Sequence, residues 1–449
     1  MPVPASLLDE WHRREAALER LRPPWERVRV VDAGQGIRDG SRVILELAWG
    51  PARVRWVAEH FDCRPGEGFS DRQLEGPFAA WEHRHEFRDL GDGKSELVDR
   101  VRYALPGGVA GAVAAGGAVR RRLERTFAYR HAVTRADLER SPGSQEASPQ
   151  TVVVTGATGL IGEALGVYLR LQGNRVVRVT RSPRNERDLF WDPVAGTLDL
   201  RSAGHVDSVV HLAGENIAGG RWTQAKKTAI RKSRRMGTRT VVRALAQCPE
   251  PRPALLSVSG VNYYRAAPGT VHDEESESGE DFLAEVCRIW EGEALAAAEE
   301  EGIRVVILRL GMVLSPAGGA LGKMLPVFRM GAGGPFGSGA QRTPWVVVDD
   351  VVDIMHRALV DATWSGVFNA VGPEIVSNRR FTEVLGQVLG RPVWMPVPAA
   401  AIRALFGEMG EATLLADLGV RPARLEERGY PFRYPRLEEG LRFLLGREG

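Results

Sequence analysis

The densest chemistry in this sequence is a glycine-spaced turn. Thr151-Val-Val-Val-Thr155 runs straight into Gly156-Ala157-Thr158-Gly159-Leu160-Ile161-Gly162, and Glu163 to Leu171 continue with helical spacing. Gly156 allows a sharp exit from a strand, Gly159 lets the backbone approach a pyrophosphate, and Gly162 lets the helix pack close to the sheet. The amides and dipole at the helix start then face the anion. A strand before the turn, a helix after it and a second strand at Arg175–Thr180 supply the context that a bare glycine triplet lacks, and predict a dinucleotide site. The second strand ends in Val179-Thr180-Arg181-Ser182. No acid stands where one would bind both ribose hydroxyls, and Arg181 with Ser182 suits a 2′-phosphate, so NADP(H) is expected rather than NAD(H).

Elements that must position this turn alternate along the second part of the chain. Apolar runs at Thr151–Thr155, Arg175–Thr180, Asp207–His211, Ala254–Ser259 and Arg304–Leu310 are separated by helical patterns. That alternation predicts a doubly wound Rossmann parallel sheet over 151–449. Residues 141–150, SPGSQEASPQ, read as a linker. Before it, 1–140 read as an α+β unit. A helix is expected over Leu7–Leu21, and strands over Glu26–Asp32, Arg42–Leu47, Val54–Cys63, Trp81–Phe87 and Ser95–Tyr103. The Gly/Ala-rich run from Leu105 to Val119 reads as a loop leading into a closing helix near Val113–Arg130.

Composition narrows the partners. Lys+Arg 60 against Asp+Glu 57 leaves a net charge of +3 over 449 residues, which makes no case for nucleic acid. The apolar run at 105–119 is too short to span a bilayer, so no integral membrane contact is expected. Cys63, Cys248 and Cys287 are odd in number and far apart, which points away from a disulfide framework and toward a reducing cytoplasm. His83 and His85 alternate on one strand and face one side, but no third ligand is evident, so no metal is expected. The acidic stretch Asp273–Asp281 reads as a solvated loop, and Gly331–Gly339 as turn chemistry or a lid.

The spacing G-x-x-G-x-x-G resembles short-chain dehydrogenases/reductases of the extended, epimerase-like type. Asp207-Ser-Val-Val-His-Leu212-Ala213-Gly214-Glu215 is similar to the strand and loop that flank the nicotinamide side of their cofactor. Arg221-Trp-Thr223, DFLAEVCRIWE (281–291), LRLGMVLSPAGGALGKMLPVFRMGAGGPFGSGAQ (308–341) and NAVGPEIVSNRRF (369–381) resemble one atypical branch of the epimerase family. This resemblance covers about 151–447 and implies a small C-terminal substrate lobe. WHRREAALERLRPPWE (11–26), FSDRQLEGPFAAWEHRHEF (69–87), Asp99–Tyr103 and RRRLERTFAYR (120–130) resemble a START-like helix-grip domain of the polyketide-cyclase/lipid-transport superfamily. That likeness implies a curved sheet around a long helix with an apolar cavity. The superfamily's usual first strand has only ten residues in which to precede Trp11.

The reductase resemblance implies a Tyr, a Lys four residues on that lowers its pKa, and a Ser that orients the substrate carbonyl. No tyrosine here is followed by that Lys, and the helix expected to carry the pair reads Phe282–Glu291 without either residue. Ser259 remains at the end of its strand, with Tyr263 and Tyr264 close behind. Ser259, Tyr263 and Tyr264 are therefore the candidate catalytic residues, with Lys227, Arg234 or Arg288 as replacement cations. Relatives tend to have a His where Val347 stands, and Cys287 reads as a small core residue. Two function classes follow: an NADP(H)-dependent oxidoreductase or epimerase on a small or apolar substrate, or an NADP(H)-binding sensor or scaffold with little or no turnover.

Overall fold

The computed structural model describes residues 1–49, 52–140 and 149–447. Of the expected linker, residues 141–148 lie outside the described residues. The chain divides into two compact units: Met1–Ser148 with Arg170–Gly173 and Phe443–Gly449, and Pro149–Leu169 with Asn174–Arg442. Among the described residues, no helix is long and apolar enough to cross a membrane.

In the first unit, α1 (Ala5–Arg13) and α2 (Ala17–Arg20) precede six strands, β1 (Val28–Asp32), β2 (Arg42–Trp49), β3 (Ala52–Arg64), β4 (Gly68–Glu75), β5 (Ala80–Gly91) and β6 (Lys94–Ala104). Each pairs antiparallel with the next, so chain order is sheet order. The single helix expected over Leu7–Leu21 is broken: Arg14 turns extended, and the break lets Trp11, Ala16 and Ala17 all bury. Strand β4, which the sequence reading omitted, carries Asp71 and Gln73 among few apolar residues, so its alternation is hidden. The expected loop at 105–119 is mostly helix instead, because α3 runs over Gly108–Arg140. Alanine's helix preference offsets the roughly 1 kcal/mol each glycine costs there.

The second unit opens with β7 (Thr151–Thr155), α4 (Leu160–Leu171), β8 (Arg175–Thr180), β9 (Leu189–Asp192), β10 (Thr197–Leu198) and β11 (Ser208–His211). Then come α5 (Gln224–Ala246), β12 (Ala254–Gly260), β13 (Val271–His272), α6 (Phe282–Glu301) and β14 (Val305–Leu310). After these lie β15 (Met312–Leu314), α7 (Gly319–Arg329), β16 (Trp345–Val347), α8 (Val348–Val360) and β17 (Gly366–Ala370). The main sheet has the order β10-β9-β8-β7-β11-β12-β14-β17, and all its pairs are parallel except β9 with β10. This is the expected Rossmann-like doubly wound sheet.

Its β-branched strands are buried on both faces, as a helix-covered parallel sheet requires. Val152 and Val154 join one apolar core with Leu165 and Leu169 of α4 and Ile354 and Met355 of α8. Val153 joins the other, with Val241 and Leu245 of α5 and Ala294 and Ala297 of α6. Local caps fix the helix starts: Thr223 Oγ1 accepts from the Lys226 amide at 3.1 Å, and Asp281 Oδ1 from the Ala284 amide at 2.9 Å.

The close approach of α4 to the sheet rests on Gly162. A Cβ there would lie 2.3 Å from the Gly156 carbonyl oxygen and 2.7 Å from Ala157 Cα. Gly162→Ala is therefore expected to destabilise the fold by about 1–3 kcal/mol in urea unfolding. Gly292→Ala, on the exposed face of α6 with nothing within 4 Å of the new methyl, is expected to stabilise it by up to about 1 kcal/mol. Equal effects of the two substitutions would contradict the packing argument.

Candidate functional site

Strand register brings the expected cofactor residues to one edge. Thr155 pairs with His211 and with Val179, and His211 with Ser257. Gly156–Gly162, Thr180–Ser182, Leu212–Gly214 and Ser259–Tyr264 therefore all leave the carboxyl end of the sheet, where the strand order reverses around β7. Such a switch point is where doubly wound sheets bind ligands. Gly156 has φ +68°, and a Cβ on it would lie 2.9 Å from both the Ala213 nitrogen and the Leu212 carbonyl carbon. The two loops thus touch through backbone. Thr155 holds them together: its Oγ1 accepts from the Leu212 amide at 3.2 Å and the Ala213 amide at 3.3 Å. Its own proton then goes to His211 Nδ1 at 2.8 Å, and burial followed by the charge of Arg234 lowers the His211 pKa to about 3. Helix α4 starts at Leu160, three residues earlier than its spacing indicated, so the amides of Leu160, Ile161 and Gly162 form its first turn. Arg181 and Ser182 are exposed beyond the end of β8.

The candidate catalytic residues separate. Ser259 is buried at 4% exposure, and its Oγ has no well-formed hydrogen bond and sits against the Cys287 thiol. Tyr264 is 1% exposed and its hydroxyl is engaged twice: it donates to Asn369 Oδ1 at 2.7 Å and accepts from Arg309 Nη1 at 2.8 Å. Burial pushes its pKa up to about 12 against the pull of Arg309. Tyr264 is therefore a core hydroxyl and not, as the sequence suggests, a free acid. Tyr263 is half-buried, lies with its ring 3.5 Å from the Arg309 guanidinium carbon, and carries a phenol with no protein hydrogen bond among the described residues.

Two of the replacement cations are spent. Lys227 pairs with Glu408 at 2.5 Å, and Arg288 donates to Ser278 Oγ and the Gly279 carbonyl. Arg234 is not the helix-surface charge its pattern allowed. It is 8% exposed, donates to the Glu215 carbonyl at 2.6 Å, lies over Trp290 and touches the open side of Gly214. Burial lowers its pKa to about 10, opposed by Cys287 and Glu215. Cys287 is buried, and burial followed by Glu291 raises its pKa to about 11. Burial also raises Cys248, and burial with Asp39 raises Cys63 to about 12.

Sequence reasoning missed the groups behind this edge. Arg309 donates to Glu291 through two parallel bonds of 2.9 and 2.8 Å, both side chains being buried. The acidic stretch is only partly solvated, because Glu274 Oε1 accepts from the Asn369 amide at 2.8 Å and Asp281 caps α6. The 331–339 loop is tied down by bridges from Gly333 to Val393 and Phe336 to Val397. Val347 is fully buried in β16.

A second candidate site lies inside the first unit. A cavity of about 430 Å³ is lined by the inner face of β1–β5, by α1–α2 and by α3. His83 and His85 both face it, as alternation required. The sequence reading found no third ligand beside them, but Asp71 lies opposite His83 across the β4–β5 pair, with donor atoms of all three within 4.8 Å of one another. His83 Nδ1 is 3.1 Å from Asp71 Oδ2 and its Nε2 is 3.1 Å from Asp99 Oδ1. Burial opposes a charge on His83, but the two carboxylates outweigh it and raise its pKa to about 9. Burial and the His83 charge lower His85 to about 4.

Comparison with known proteins agrees with the geometry of the second unit. Residues 152–370 match the NAD dependent epimerase/dehydratase family, and 397–444 match a domain of unknown function. An epimerase family protein of Mycobacterium bovis is 38% identical over 299 residues, spanning 66% of this chain and 98% of the relative. The crystal structure of a nucleoside-diphosphate sugar epimerase from Corynebacterium glutamicum is 33% identical with TM-score 0.81, covering 100% of this chain and 89% of that one. The human epimerase family protein SDR39U1, solved with NADPH, is 35% identical with TM-score 0.61, covering 66% of this chain and 98% of its own. With a relative at 38% identity matched along nearly its whole length, this chain is a member of the NAD dependent epimerase/dehydratase family.

Proposed function

We propose that the second unit is an NADP(H)-dependent reductase or epimerase acting on a small or apolar substrate. The observation that carries this reading is the backbone contact of the Gly156 turn with Leu212–Ala213 at the sheet's switch point. It leaves Gly156, Ala157, Thr158, Gly159, Leu160, Ile161 and Gly162 to bind the pyrophosphate. Leu212, Ala213 and Gly214 flank the nicotinamide, and Arg181 with Ser182 takes the 2′-phosphate. The human relative's NADPH supports the choice of dinucleotide. Bound NADPH supplies a hydride.

The chain's own residues supply the rest. The Ser259 hydroxyl orients a carbonyl, and the Tyr263 phenol gives or takes its proton beside the Arg309 charge. The Tyr–Lys helix pair of the reductases is absent, so turnover is slow. The spent hydroxyl of Tyr264 and the missing Tyr–Lys helix pair support the second reading, a dinucleotide-binding sensor with little turnover. The N-terminal unit reads as a START-like helix-grip carrier of apolar ligands. Its support is the six-stranded sheet, the long α3 and the cavity lined by both. That cavity would deliver a substrate or report a ligand.

Two measurements test this. Calorimetric titration is expected to show NADPH binding at least ~10-fold tighter than NADH, about 1.4 kcal/mol, with Arg181→Ala removing the difference. Equal affinities in the parent protein would refute the 2′-phosphate assignment. With NADPH oxidation followed over a carbonyl and nucleotide-sugar panel, Ser259→Ala and Tyr263→Phe are expected to lower kcat by roughly 10²–10⁴-fold while NADPH affinity stays within about twofold. Tyr264→Phe is expected to act on stability instead, by about 1–3 kcal/mol, because it strands Asn369 and Arg309. Tight NADPH binding without turnover on any member of the panel would favour the sensor reading.

A further inference from the structure

Four of the chain's nine histidines, His12, His60, His83 and His85, line the cavity of the N-terminal unit. For three of them, His12, His83 and His85, the polar neighbours indicate where the protons sit. His83 faces a carboxylate at each nitrogen, so it donates from both and stands as an imidazolium. This arrangement fills His83 with protons and leaves it no lone pair for a metal.

His12 differs. Its Nδ1 lies 2.8 Å from the Leu8 carbonyl, which only accepts, so Nδ1 carries the proton and Nε2 is bare. Burial lowers the His12 pKa, which keeps the ring neutral. His85 follows the same logic. Its Nδ1 is 2.7 Å from Asp99 Oδ1, and a carboxylate at that distance repels a lone pair and favours the proton on Nδ1, although the two are not aligned as a hydrogen bond. Its Nε2 is therefore also bare, and Phe69 stacks on the ring at 4.1 Å to set its angle. The two rings stand 6.0 Å apart, and neither Nε2 has a protein hydrogen bond among the described residues. The cavity thus presents two bare acceptors at one pole. Much of the rest is apolar, with Leu45, Trp56, Phe78, Trp81, Leu123 and Phe127 on its walls.

We propose that this cavity selects apolar ligands bearing a hydroxyl, an alcohol or a phenol, which donates to the bare Nε2 of His12 or His85 while the hydrocarbon body fills the apolar walls. The proposal rests on the reading of the unit as an apolar-ligand carrier. An ether of the same shape lacks the donor and leaves the imidazoles unpaired, which a buried acceptor penalises. Arg130 also lines the cavity, with its guanidinium over Phe127, and it marks the competing case of a carboxylate ligand. Asp71 and Asp99 stand behind the imidazoles and disfavour an anion at that pole.

Equilibrium dialysis of the full chain against 1-naphthol, 1-methoxynaphthalene and 1-naphthoate tests this. 1-Naphthol is expected to bind at least ~10-fold tighter than its methyl ether. His12→Phe with His85→Phe is expected to bring that ratio to about one while ether binding persists, which also reports that the variant folds. The ratio in the unmodified protein decides the matter even if the double variant fails to fold. Equal binding of naphthol and ether would overturn the hydroxyl assignment and leave the carrier reading intact. Naphthoate binding tightest, and lost in Arg130→Gln, would overturn it in favour of an acid. Stoichiometric Zn²⁺ binding abolished by His83→Asn would overturn it in favour of a metal. Failure of all three probes would refute the carrier reading itself.

Discussion

The buried pair of Arg309 and Glu291 is the contact on which the candidate edge of the second unit depends. Two parallel hydrogen bonds join the last turns of β14 to α6, and a third from the same guanidinium reaches Tyr264. Tyr264 passes the connection to Asn369 on β17, whose side-chain amide donates to the Arg421 carbonyl at 3.0 Å. One guanidinium therefore references five segments to each other, its own strand included. Removing one member of such a pair typically costs about 3–5 kcal/mol, because the other is left charged and dry. The same group lies against the ring of Tyr263, so the placement of the free phenol follows from the core rather than from its own loop.

This arrangement explains why the glycine-turn half of the edge could be read from sequence and the other half could not. The glycine turn is local: seven consecutive residues, a strand before and a helix after, and each glycine answers to a contact within that stretch or the next loop. The Tyr264 assignment failed for the opposite reason. Its partners stand 45 and 105 residues away in the chain, and no spacing announces them. Arg234 was ambiguous in the same way, since its helix pattern does not reveal that its face turns toward Trp290.

The N-terminal unit shows a different kind of concealment. Sequence patterning assumes that an inward face is apolar. Strands β4 and β5 turn Asp71, His83 and His85 inward, where they bond one another or Asp99 instead of water. A reader of alternation sees such strands as half-solvated, and β4 disappears. The long α3 was shortened for a related reason: glycines punctuate it, yet the alanines between them keep it helical through Arg140. Both units thus place polar groups where apolar ones are cheaper, and in each the polar group that is already paired holds in place one that is not.

The three thiols carry a consequence of their own. Burial raises Cys248, burial and Asp39 raise Cys63 to about 12, and burial and Glu291 raise Cys287 to about 11. Oxidants and electrophiles react with thiolates, and a thiol with so high a pKa offers almost none at neutral pH. Cys63 and Cys287, the second of which sits against Ser259, therefore hold little thiolate at neutral pH. On the proposed NADP(H) reading, a change in redox poise would reach this chain through the nicotinamide ring and not through these two thiols.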